Sequence, residues 1–113
     1  MLTIYHNPRC SKSRQTLELI KDNSSKDIKI VEYLKTPLTQ EEIESLLSLL
    51  SCSPIEMMRV KEAEFKEQNL KGADDKTLVA AMVATPKLIE RPIVSDGDRA
   101  VIGRPPENAL ALC

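Results

Sequence analysis

The stretch Leu2-Thr3-Ile4-Tyr5-His6-Asn7-Pro8-Arg9-Cys10-Ser11-Lys12-Ser13-Arg14 decides how the rest of the chain is read. Residues 2–5 alternate weakly and read as a strand. From Ser11 to Lys21, Leu17 and Ile20 sit three apart and Ser13 lies a further turn back, which predicts an amphipathic helix. Cys10 therefore falls at a strand-to-helix turn, where free backbone N–H groups and the helix dipole favour an anion. Basic residues crowd the same turn. A thiol in that setting is expected to be partly thiolate near neutral pH, the nucleophilic form.

Working outward, Asn23-Ser24-Ser25 ends the helix, and Ile28, Ile30 and Tyr33 within Asp27–Leu34 give a second β-rich run. The first forty residues read β-α-β, which implies parallel strands and a right-handed crossover. Thr36-Pro37 closes that unit. Thr39-Gln40-Glu41-Glu42 is a capping box, followed by Ile43, Leu46, Leu47 and Leu50 at helical spacing. Ser53-Pro54-Ile55-Glu56 is a second capping box with proline at the first helical position, placing Arg59 near the end of a short helix. A further helix is expected from Asp74 or Asp75 through Val83, with Leu78, Val79 and Met82 inward and Thr85-Pro86 as its stop. Residues 39–88 thus read as a helical section without a clear strand. Beyond it, Pro92–Ser95 and Arg99–Ile102 flank Asp96-Gly97-Asp98, a hairpin signal, and Gly103-Arg104-Pro105-Pro106 turns into a short last helix. The sum is one α/β domain over residues 1–113, with a helical insertion at about 39–88.

Composition narrows the function classes. At 113 residues, 42% hydrophobic and 29% charged, the chain suits a single globular domain. A formal net charge of −1 argues against bulk binding to nucleic acid or anionic membranes, and 3% aromatics disfavour a base-stacking surface. No basic-plus-apolar leader and no membrane-length apolar run is present, so a cytoplasmic location is expected. Cys10, Cys52 and Cys113 are odd in number and irregularly spaced, forming no disulfide framework, C-x-x-C pair or metal motif. With a single histidine, no metal site and no bound cofactor are expected. Cys52 reads as a small packing residue and Cys113 as a frayed terminus.

The βαβ–helices–ββα order resembles the thioredoxin fold with an inserted helical section, and so implies a mixed four-stranded sheet. Within it, Tyr5-His6-Asn7-Pro8-Arg9-Cys10-Ser11-Lys12-Ser13-Arg14 is similar to the catalytic loop of the ArsC-type arsenate reductases, the glutathione- and glutaredoxin-dependent kind. The resemblance continues through Arg59, Glu90-Arg91-Pro92-Ile93-Val94 and Gly103-Arg104-Pro105, and so spans essentially the whole chain. It implies Cys10 as the nucleophile that carries a thiol–arsenate intermediate. It implies Arg59, Arg91 and Arg104 as ligands of the oxyanion. His6, Ser13 and Arg14 take supporting positions around the thiol, His6 by favouring the thiolate electrostatically, and the Arg91–Pro92 bond is expected to be cis. Arsenate, glutathione and glutaredoxin follow as substrate, co-substrate and partner. Arg9 and Lys12 stand where some members carry small or neutral residues, which makes this loop more basic.

Read from the residues alone, a lone cysteine at a helix start is structural as often as it is catalytic, and the basic flanks favour the second. His6 reads equally as a bland strand-end residue, Arg91 and Arg104 as loop supports before prolines, Arg59 as a solvated helix residue and Arg14 as part of a charge run. Two other functions share the pattern: a thiol reductase acting on glutathionylated substrates, and a non-enzymatic regulator resembling the Spx proteins. The second class senses oxidation through a C-x-x-C pair, and Ser13 here occupies the place of its second sulfur.

Overall fold

The computed structural model describes all 113 residues, Met1–Cys113. The chain packs as two compact units, one made of Met1–Thr36 with Arg91–Cys113 and the other of Pro37–Glu90.

The first unit holds a four-stranded sheet of β1 (Leu2–Tyr5), β2 (Ile28–Val31), β3 (Ile93–Ser95) and β4 (Ala100–Ile102), in the order β2-β1-β3-β4. β1 runs parallel to β2, pairing Ile4 with Ile30, and antiparallel to β3, pairing Ile4 with Val94. β3 and β4 form the expected hairpin, pairing Val94 with Val101. Asp96 fixes its turn: the Oδ1 atom accepts from the N–H groups of Asp98 and Arg99, both at 2.9 Å, and Gly97 takes the left-handed φ of 96° that the bend requires.

Helix α1 (Ser11–Asn23) packs against a 3₁₀ helix at Pro106–Leu112, which in turn lies against β4 and β3. Leu2, Ile4, Ile20, Val94, Ala109 and Leu112 form their shared core. The last segment was expected as an ordinary short helix. Its buried residues Pro106, Ala109 and Leu112 recur every three positions, the repeat of a 3₁₀ helix, so one edge faces the core throughout. α1 buries Ser13 and Thr16 as well as Ile20, two small polar residues where an aliphatic pair would be usual. For Thr16 the reason lies at Gly103. A Cβ there would stand 2.9 Å from both Cγ2 and Oγ1 of Thr16 and 3.0 Å from Cγ of Pro92. Thr16 Oγ1 meets the backbone at this contact, donating to Lys12 O at 2.8 Å, with Gly103 O at 3.3 Å.

The second unit is built on α2 (Gln40–Leu50), α3 (Ala63–Glu67) and α4 (Asp75–Ala84). The Thr39 capping box forms as read: Glu42 N–H donates to Thr39 Oγ1 at 3.2 Å and Thr39 N–H to Glu42 Oε1 at 3.0 Å. Asp74 caps α4 by accepting from Thr77 N–H at 2.8 Å. The Ser53 box also forms, but on a 3₁₀ turn, Pro54–Met57, that ends before Arg59. Met58 pairs instead with Ile89 in an isolated antiparallel bridge. Arg59 therefore lies two residues past the end of that 3₁₀ turn, beyond the bridge residue Met58. α3 has no counterpart in the sequence reading, because five residues with only Phe65 buried carry no period to read. No helix is long and apolar enough to cross a membrane.

Candidate active site

The turn from β1 into α1 is tied at both ends. His6 N–H continues the sheet by donating to Val31 O at 2.8 Å. Asn7 then folds the loop on itself: its carbonyl accepts from Cys10 N–H and its Oδ1 from Arg9 N–H, each at 3.0 Å. Arg14 reaches back from the first turn of α1, its Nη1 donating to Pro8 O at 2.8 Å. Ser13, wholly buried, makes the central tie. Its Oγ accepts from Asn7 N–H at 3.0 Å and lies 2.6 Å from Nδ1 of the buried His6. Burial holds the His6 pKa below its ordinary value; Glu32 pulls the other way, while Arg14 and Lys21 add to the lowering. That shift favours the neutral ring, in which one nitrogen donates and the other accepts. Its hydrogen-bond partner is the serine that shapes the loop.

Cys10 is the N-cap of α1, with extended backbone at φ −92° and ψ 123°, and is half-buried. Its Sγ makes no cap hydrogen bond of ordinary geometry. Burial by itself would raise its pKa. The Ser13 amide, the Arg91 guanidinium and the Lys12 amide face the sulfur and outweigh burial, so the thiol is more acidic than usual. The helix start works here as expected, through the N–H groups of its first turn. The cation does not come from the loop. Among the basic residues near Cys10 in sequence, Arg14 is turned to Pro8 O; the guanidinium that meets the sulfur belongs to Arg91, eighty-one positions away.

Arg91 arrives by way of the sheet. It directly precedes β3, whose Ile93 pairs with Tyr5 at the end of β1, so the strands carry it to the mouth of the Cys10 loop. The Arg91–Pro92 bond is cis, as expected, and Pro92 O accepts from Gly103 N–H at 2.8 Å. Buried Nε of Arg91 has no hydrogen-bond partner. An orphaned buried donor of this kind leaves the guanidinium with capacity to bond an acceptor from outside the chain. Arg104 follows Gly103 at the same end of the sheet, is exposed, and engages Asn108 Nδ2 only through its backbone carbonyl, at 3.2 Å. The Arg104–Pro105 bond is also cis, which nothing in the sequence reading anticipated.

Arg59 belongs to the second unit. Its N–H donates to Leu88 O at 2.7 Å and its Nε to Glu62 Oε1 at 2.9 Å. Glu62 was not singled out from sequence; its spacing of three from Arg59 was the available signal. The other two thiols stand apart from these groups in kind. Cys52 is half-buried with its pKa raised, first by burial and then by Glu56. Cys113 is exposed, and its neighbour Leu112 accepts from Lys26 Nζ at 2.9 Å. Lys26 lies three residues past the far end of α1, a helix roughly 20 Å long by its rise per residue. Cys113 is therefore at the opposite end of that helix from Cys10.

A model of the ArsC family matches residues 5–112 of this chain. The chain is 42% identical to an arsenate reductase of Haemophilus influenzae over 112 residues, covering 96% of each. It is 48% identical to the uncharacterized protein YfgD of Escherichia coli K12, covering 96% of this chain and 93% of that one. Among solved structures, an arsenate reductase from Vibrio cholerae superposes with a TM-score of 0.93 at 43% identity, covering 99% of this chain and 97% of the other.

Proposed function

Because this chain belongs to the ArsC family, we propose that it is an arsenate reductase in which Cys10 attacks the arsenic and Arg59, Arg91 and Arg104 bind the oxyanion. The observation that carries this reading is the meeting of Cys10 with Arg91. A thiol made acidic by amides and a guanidinium faces a cation that still has a buried, unused N–H. A structural cysteine needs neither.

Arsenate is a phosphate-like anion at neutral pH, and arginine offers it planar paired donors that lysine lacks. The Cys10 thiolate displaces one arsenate oxygen, which leaves as water after taking up protons, and an S–As(V) bond forms without electron transfer. The guanidinium groups hold the charge that remains on the other oxygens. Two further thiols then supply the two electrons that take As(V) to As(III). They become a disulfide as a second arsenate oxygen leaves as water, and a water molecule then hydrolyses the Cys10 S–As(III) bond, releasing arsenite and the Cys10 thiolate. The sum is arsenate plus two thiols giving arsenite, one disulfide and water.

Those two thiols come from outside the chain, as glutathione followed by glutaredoxin. Three features support this. Ser13 holds the place of a second loop sulfur and is locked to His6 and Asn7. Cys113 lies at the far end of α1. Cys52 has a raised pKa, which suits a resolving thiol poorly. His6, Ser13 and Arg14 support the reaction by holding the loop in which Cys10 is presented. Three free thiols suit the reducing cytoplasm.

The deciding experiment couples the purified protein to arsenate, glutathione, glutaredoxin and NADPH recycling. Arsenate-dependent NADPH loss is expected, with none in Cys10→Ser. Absence of turnover, together with failure of arsenate to protect Cys10 from alkylation, would overturn the reading.

A further inference from the structure

Arg59 is held at two points. Its backbone N–H is pinned to Leu88 O, beside a second pin from Glu90 N–H to Met57 O at 2.8 Å. Its side chain is pinned through Nε to Glu62 Oε1 at 2.9 Å. The other oxygen of that carboxylate, Oε2, lies 3.5 Å from Lys87 Nζ, so the two oxygens are divided between two cations. Both partners of the close pair are shielded: the side chains of Arg59 and Glu62 are 21% and 18% exposed.

Local sequence explains the pairing. Glu62 N–H donates to Arg59 O at 3.2 Å, closing a turn that brings the two side chains onto one side, and Glu62 then opens α3. A guanidinium has five donors in a fixed plane. With Nε committed, the four on Nη1 and Nη2 remain for a ligand. Free arginine carries roughly 2 kcal/mol of rotamer entropy, so fixing it in advance removes a cost that binding would otherwise incur. A carboxylate beside an anion-binding arginine also opposes the anion by its charge. Lys87 offsets that charge, and Glu64, whose Oε2 lies 3.5 Å from the same ammonium, draws on Lys87 from its other side.

We infer that Glu62 is a positioning residue for arsenate, holding Arg59 by its Nε so that the two terminal amino groups are presented to the oxyanion. The inference rests on the reading of Arg59 as an oxyanion ligand. It is tested by steady-state kinetics on the full chain, varying arsenate at saturating glutathione and glutaredoxin. Wild type is compared with Glu62→Ala, Glu62→Gln, Arg59→Ala and the double variant Arg59→Ala/Glu62→Ala.

Glu62→Ala is expected to raise the arsenate KM about tenfold, the scale of one charge-assisted hydrogen bond, with a smaller change in kcat. Glu62→Gln keeps an acceptor for Nε and recovers most of the loss. The double variant is no worse than Arg59→Ala, because Glu62 acts through Arg59. Should Glu62→Ala fail to fold, Glu62→Asp keeps the charge but withdraws the carboxylate, and carries the same expectation. An unchanged or lowered KM on removing Glu62, in a protein where Arg59→Ala raises it, sinks the role of Glu62 and leaves that of Arg59 intact. Additive losses in the double variant sink it as well. An Arg59→Ala protein with the wild-type KM removes both readings together.

Discussion

Cys10 and Cys52 are both half-buried free thiols that follow a turn or lead into one, and burial pushes both toward the neutral form. They end on opposite sides of the ordinary thiol. Cys10 meets two amides of a helix start and the Arg91 guanidinium, and its pKa falls. Cys52 has Glu56 as its charged neighbour, and its pKa rises. The amount of water removed is not what separates them. The sign of what faces the sulfur decides whether the thiol can act as a nucleophile near neutral pH.

The comparison breaks most visibly at the sulfurs themselves. Cys10→Ser is expected to abolish arsenate turnover and the fast alkylation of the protein at neutral pH, whereas Cys52→Ser retains both, as read by NADPH consumption and by mass spectrometry of the alkylated chain. Next comes the charge. Arg91→Ala should cost about two to three decades in arsenate turnover, the usual loss for one donor to a developing oxyanion. In the same variant the ultraviolet thiolate titration of Cys10 moves up toward that of Cys52. Arg91→Lys keeps the positive charge and restores part of the titration, but little of the turnover, because an ammonium lacks the planar fork.

A smaller effect comes from the scaffold. Ser13→Ala leaves Asn7 N–H and His6 Nδ1 without their shared partner, at a cost of roughly 1–3 kcal/mol in unfolding free energy by denaturant titration. The smallest effect is a difference of slope with pH. Cys10 has a folded pKa below its unfolded one, so its contribution to stability is present above the unfolded pKa and is lost as pH falls through the folded value. Cys52 has a folded pKa above its unfolded one, so its contribution is lost as pH rises from the unfolded value toward the folded one. Denaturation midpoints followed across the thiol range should lose the rising limb in Cys10→Ser and the falling limb in Cys52→Ser.

Much of this molecule is legible in the sequence where the deciding contacts are local. The Thr39 and Ser53 capping boxes, the Asp96-Gly97-Asp98 turn and the placing of Cys10 at the start of α1 each depend on residues within four positions of one another. The partner of Cys10 was a matter of topology. Arg9, Lys12 and Arg14 are its neighbours in sequence, yet the guanidinium that faces it depends on β3 pairing with β1, and only the family resemblance pointed to Arg91. His6 was expected to favour the thiolate electrostatically; the burial that lowers its pKa and its bond to Ser13 are properties of the folded interior and not of the residues beside it. Arg59 was expected near the end of a short helix and falls two residues beyond a 3₁₀ turn, because the chain after Met57 pairs as Met58 with Ile89, a contact between positions thirty-one apart.

The close approach of Gly103 to Thr16 and Pro92 has a meaning for how this chain can change over generations. Positions 16 and 103 share one small volume, so neither drifts alone. An alanine at 103 requires both Thr16 and Pro92 to give way, and a larger residue at 16 requires position 103 to stay without a side chain. Since residue 103 adjoins Arg104 and its amide is bonded to the proline after Arg91, paired change at positions 16 and 103 is a route by which the two arginines are tilted without either being substituted.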